Sequence, residues 1–234
     1  MLRPDLLCIT KLIAMDQRLR AEEDLRIIRS LMERATIYRA ISAPTALVGG
    51  ILAVLAAATI QLAEKSSFAF QPPLGAHRFA AIWLFVLLLV LIANTFFVWR
   101  EAQKSGRPFI SAGMKLALRA IAPCLLVFAV FTGCFFGAGY PNIAKLWLVT
   151  VWVAFYGLAL LSTALFAPRS LVFLGWAFLI TSLAVPVWSR LSGDQFERVP
   201  NLAMAMTFGL YHLIYAACTW RRSRNVAGDQ PVLE

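Results

Sequence analysis

Residues 82–99 read IWLFVLLLVLIANTFFVW, eighteen consecutive positions without a charge. A run of this kind restricts the chain sharply. At 1.5 Å per residue, about 20 apolar residues cross the ~30 Å hydrocarbon layer of a bilayer as a helix. A membrane strand would instead alternate apolar and polar residues over about ten positions, which excludes a barrel. Six blocks of spanning length occur: residues 41–63, 79–99, 117–138, 146–166, 170–188 and 202–220. The predicted fold is all-α, an integral membrane bundle of six transmembrane helices. It divides into an N-terminal segment (1–40), the spanning domain (41–220) and a basic tail (221–234). A composition with 60% hydrophobic and only 15% charged residues agrees.

The net charge of +10 raises the question of a nucleic-acid partner, and the placement of the 22 Lys and Arg decides against it. Eight lie ahead of the first block, five around the connection between the second and third, Arg169 between the fourth and fifth, and three after the sixth. Only Lys65, Arg78, Lys145, Arg190 and Arg198 fall on the other side. Positive flanks resist translocation, so this asymmetry predicts a cytoplasmic N-terminus and C-terminus. Tryptophans are placed in keeping with that threading. Trp99 and Trp220 stand at inner ends and Trp83, Trp147 and Trp188 near outer ends, while Trp152 and Trp176 lie deeper and read as packing residues. The four cysteines form no CxxC pair and none falls in an outer loop, so neither a disulfide nor a metal is expected. Arg3, Asp5 and Lys11 interrupt any signal-peptide core, and Met15 is an alternative translation start.

Residues 16–40 predict an amphipathic cytoplasmic helix. At ~100° per residue from Leu25, the apolar residues Ile27, Ile28, Leu31, Met32, Ala35 and Tyr38 gather on one face, and Arg26, Arg29, Ser30, Glu33 and Arg34 on the other. Ser42 and Pro44 then read as the cap and first turn of span one. Such a helix lies at the lipid interface or docks on a protein. Four acids among six basic residues between Arg18 and Arg39 exceed what a lipid-binding face needs, which points to docking. The docking face would be Leu25, Ile28, Leu31 and Met32. Arg26, Arg29, Arg34 and Arg39 would touch lipid or a partner, either a cytoplasmic protein or a second copy.

The segment LRIIRSLMERATIYRAIS, residues 25–42, resembles the N-terminal region of a group of uncharacterised bacterial polytopic inner-membrane proteins with an LRxIRxLMERxxxYRxIS-type pattern. The matching positions are Leu25, Arg26, Ile28, Arg29, Leu31 to Arg34, Tyr38, Arg39, Ile41 and Ser42. The resemblance implies a bacterial inner membrane and a polytopic helical domain, and it carries over no functional residue.

Within the spans, ionisable residues are confined to the block ends, apart from His212. Ion-coupled carriers usually keep such groups at depth, so the pattern argues against ion coupling. Asn94 and Thr95 of span two, Ser162 and Thr163 of span four, and His212 and Tyr215 of span six are the candidates for an intramembrane polar cluster. This cluster is either interhelical glue or a ligand site. Small residues recur at packing spacing at Gly49, Ala53 and Ala57, at Gly133 and Gly137, and at Ala205 and Gly209. Catalytic signatures are missing. No GxSx nucleophile, intramembrane EExxxR or HExxH is present, and KSGRPF is too short for a phosphatase signature. The expectation is a non-catalytic interaction or regulatory membrane protein without cofactor. The alternative is a small-molecule transporter or channel that lacks an ion-coupling carboxylate.

Overall fold

The computed structural model describes residues 43–66, 75–106, 110, 112–137, 143–165 and 167–228, together with residues 20 and 22–24. The docking face and the arginines proposed to flank it, residues 25–39, lie outside the described residues. So does Ser42. Five uninterrupted helices come first: α1 (Ala43–Ser66), α2 (Ala76–Ser105), α3 (Ala112–Gly137), α4 (Ile143–Ser162) and α5 (Arg169–Leu191). A 3-10 turn, Gly193–Arg198, leads into α6, which runs through Val199–Met204, a π-helical stretch Ala205–Tyr211, and His212–Gly228. All six are long and apolar enough to cross a membrane. The described chain is an all-helical, multi-pass membrane protein.

The helix ends follow from local chemistry. Gly106 closes α2 in the left-handed conformation at φ 60°, where its N–H donates to the Ala102 carbonyl. Pro168 opens α5 with an extended backbone, and Ser192 ends it by donating its N–H to Trp188. Pro123 and Pro186 lie inside α3 and α5. Helix α2, at 30 residues, is longer than its apolar block because charged residues continue the helix beyond the hydrocarbon. In α2, Arg100, Glu101 and Lys104 extend the C-terminal end past Trp99.

Helices in lipid gain no hydrophobic free energy from meeting each other, so close packing and polar ties must hold the bundle together. The α4/α5 pair, joined by a short turn, forms the most extensive interface. Val149 and Val153 of α4 and Phe178 of α5 are wholly buried there. Gly157 and Gly175 let the two backbones touch, for a Cβ on Gly157 would stand 2.9 Å from the Gly175 carbonyl oxygen. A second close approach joins α1 to α6 at Gly50 and Gly209. Of the small residues singled out above, Gly49, Ala53, Ala57 and Gly209 are buried. Gly133 is exposed, and a Cβ there would meet nothing within 4 Å. Trp152 packs as expected. Trp176 does not, being exposed on the lipid-facing side of α5, while Trp83 is buried in the core.

Helices α2 and α3 are peripheral. α2 leans on α1 and α3 on α4, and these consecutive helices share no substantial interface with each other. Phe85, Leu88, Ile92 and Phe96 of α2 and Leu118, Leu126 and Val130 of α3 are all exposed. An apolar surface of this extent suits hydrocarbon surroundings and would be an aggregation liability in water.

Candidate functional site: an interhelical pocket

The gap left between α2 and α3 leads into a cavity of about 240 Å³. Its floor is α1 at Gly49 and Ala53, and its sides are Val86, Leu87, Val90 and Leu91 of α2 and Cys124, Leu125 and Phe128 of α3. Its back wall is Trp152, Tyr156 and Ala159 of α4 with Met204, Phe208 and His212 of α6. Five of the six spans contribute. Leu87, Leu91 and Leu125 both line the cavity and are exposed, which places the mouth sideways, between α2 and α3. An engineered cavity of about 150 Å³ already admits benzene, so this space is large enough for part of an apolar chain.

The apolar wall carries one hydrogen-bonded polar pair, in addition to the indoles of Trp152, whose Nε1 donates to Thr132 Oγ1, and of Trp83, whose buried Nε1 has no partner among the described residues. Tyr156 OH and His212 Nε2 are 2.8 Å apart. His212 Nδ1 lies 3.4 Å from the Thr207 carbonyl oxygen within the π-helical turn. A carbonyl only accepts, so Nδ1 carries the proton, Nε2 presents its lone pair, and Tyr156 donates to it. No acidic side chain lines the cavity to balance an imidazolium, and an unbalanced charge at this depth is costly. The imidazole is therefore neutral. Aromatic rings fix both partners: Tyr156 packs on Phe178 at 4.7 Å and on Phe208 at 5.0 Å, and His212 stacks on Phe208 at 6.1 Å. Beside this group, Tyr211 and Thr181 hydroxyls are 2.8 Å apart. Thr181 donates to Ala177, so Tyr211 is the donor between them.

Among the residues expected to form an intramembrane cluster, the hydrogen bonds run differently. Thr95, Ser162 and Thr163 each donate back into their own helix, to the carbonyls of Leu91, Ala159 and Leu160. Asn94 is half-buried on α2, and Tyr215 is buried one turn beyond His212. The partner of His212 is Tyr156, which carries no distinguishing motif. Its one sequence signal is a position two helical turns before Thr163, on the face of span four that also bears Trp152 and Val149.

A second polar group lies at the end of the bundle where α1 finishes and α4 begins. Asn201 Nδ2 donates to the Ala57 carbonyl at 2.9 Å and to Gln61 Oε1 at 3.2 Å, tying α6 to α1. Lys145 is buried, and its ammonium stands 4.0 Å from a Glu64 carboxylate oxygen. Among the described residues no set of three or more His, Cys, Asp or Glu side chains is placed to hold a metal ion. Comparison with protein-family models, curated proteins and solved structures gives no match.

Proposed function

We propose that this protein is a non-catalytic membrane protein that binds an apolar small molecule, taken from the bilayer through the gap between α2 and α3. The observation that carries this reading is the cavity itself: five spans build it, its mouth faces lipid, and a neutral hydrogen-bonded polar pair sits in its wall. The source membrane in this proposal is a bacterial inner membrane, supported by the N-terminal resemblance. Cytoplasmic termini are supported by the asymmetry of Lys and Arg. A carrier or a ligand-responsive regulator would both use such a site. Native mass spectrometry of the protein extracted with its lipids tests it. An apolar adduct is expected on the wild type and lost from a Leu87→Trp, Leu125→Trp variant, which fills the mouth with residues already exposed. Equal adducts on both proteins would defeat the proposal.

The segregated faces of residues 25–38 support a second, compatible proposal, in which the N-terminal helix docks a cytoplasmic protein or a second copy. Affinity purification of wild type and of a Leu25→Asp, Ile28→Asp variant at equal membrane levels tests it. A specific partner retained only by wild type is the expected result.

A further inference from the structure

The hydrogen-bonding state of the pocket wall restricts what the guest can carry. Tyr156 spends its one proton on His212 Nε2, and His212 spends its Nδ1 proton on the Thr207 carbonyl. What remains open on this pair is a lone pair on the Tyr156 oxygen, an acceptor. A guest that only accepts, such as a ketone, ester or ether, could bond to this pair only by taking the Tyr156 proton, which would strand Nε2 in an apolar wall. The lining donor it could use without that loss is the unpartnered Trp83 Nε1, away from the pair. A pure hydrocarbon would leave the polar pair unused. A guest O–H can donate to the Tyr156 oxygen with the pair intact. It can also insert between the two, accepting from Tyr156 and donating to Nε2, so that no group loses its partner. An ionised amine also donates, but no acidic residue in the lining would balance its charge.

We propose that the pocket takes a long-chain apolar alcohol, with its hydroxyl at Tyr156 and His212 and its chain leaving between α2 and α3; this rests on the pocket reading above. The dimensions suit a chain. Along α2 the lining runs from Trp83 to Leu91, about 12 Å at the helical rise, and apart from the Trp83 indole every α2 side chain in it is aliphatic. The exposed Leu87, Leu91 and Leu125 lead from that lining out to the bilayer, so a chain longer than the cavity continues into lipid without strain.

The test uses the full-length protein in phosphatidylcholine nanodiscs with labelled hexadecan-1-ol, displaced by the unlabelled alcohol, by its methyl ether or by hexadecane. The alcohol should compete about threefold to tenfold better than the ether, the range one hydrogen bond within a membrane protein supports. Tyr156→Phe alone frees the His212 Nε2 lone pair for a guest hydroxyl and should keep the preference for the alcohol, whereas Tyr156→Phe combined with His212→Phe should bring the two competitors together. Equal competition by alcohol and ether in wild type, with both lost in the Leu87→Trp, Leu125→Trp variant, overturns the hydroxyl inference and leaves the pocket reading standing. No retention above empty nanodiscs overturns both. The competitor series in wild-type protein decides the matter even if the double variant of Tyr156 and His212 does not fold.

Discussion

Replacing Gly157 by alanine is expected to damage the bundle more than the same change at Gly175 or Gly133. The new Cβ would stand 2.9 Å from the Gly175 carbonyl oxygen, 3.1 Å from the Leu179 backbone nitrogen and 3.1 Å from Phe178 Cβ. Ordinary carbon-to-oxygen contacts between packed backbones are ~3.3–3.6 Å, so α4 and α5 must part by about half an ångström at their tightest point. Two of the three obstructing atoms are backbone and cannot rotate away. Overpacking of this kind costs about 1–3 kcal/mol, a thermal shift of ~2–12 °C for a chain of this size. Gly175→Ala meets Leu161 Cγ at 2.9 Å and the Gly157 carbonyl oxygen at 3.2 Å, and should cost less because its closest contact is a side chain and its backbone contact is the longer. Gly133→Ala meets nothing, so the better helix propensity of alanine, up to about 1 kcal/mol, should hold or raise the melting temperature. Thermal unfolding of the three variants in one detergent tests the order. Equal shifts for Gly157→Ala and Gly133→Ala would refute the claim that backbone contact holds α4 to α5.

Further outcomes follow from the polar contacts. A double-mutant cycle on Tyr156→Phe and His212→Phe, measured by unfolding in detergent, should give a coupling of about 0.6–1.7 kcal/mol, and a value near zero would mean that the pair is not bonded in the membrane. Glu64→Gln strands the buried Lys145 ammonium and should destabilise by about 1–3 kcal/mol, and adding Lys145→Met should recover most of the loss, read as melting temperature. Deleting Met206 removes one residue from the π-helical turn and should let α6 continue as a regular helix. The melting temperature should hold, while the preference for alcohol over ether falls toward unity as His212 loses its fixed acceptor.

The six spans were legible in the sequence because covering a hydrocarbon layer needs length and apolarity alone, and both are one-dimensional properties. Packing was legible only in part. Gly133 and Gly137 have the same spacing as small residues that do pack, yet α3 turns Gly133 to lipid, because a small residue does not state which face its helix presents. Gly157 and Gly175 are single glycines without a repeat, and their importance exists only once α4 and α5 are laid together. His212 was visible as the ionisable residue at depth. Its partner was not, since hydroxyls in a helix can satisfy themselves on the preceding turn, as Thr95, Ser162 and Thr163 do, whereas a tyrosine hydroxyl is too far from its own backbone to do so. Lys145 reads in sequence as a flanking charge that sets orientation. Its burial beside Glu64 depends on α1 and α4 ending at the same level, a relation between residues 81 positions apart.

The two polar groups differ in chemistry because they differ in depth. Lys145 lies in the first turn of α4, and Tyr156 is eleven residues further on, about 16 Å deeper at the helical rise and near the middle of a ~30 Å hydrocarbon layer. A charge at the centre of a span costs about 2.5–3.5 kcal/mol or more, and much less at its end, where water and headgroups reach it. The ion pair therefore sits at the end of the bundle and the neutral Tyr156–His212 pair at its middle. The same cost falls on any guest, for a charged one would meet a wall with no counter-charge to receive it. A neutral guest held by neutral groups carries no charge when it moves along the pocket. Its binding and release, unlike those of an ion-coupled substrate, should be indifferent to the membrane potential.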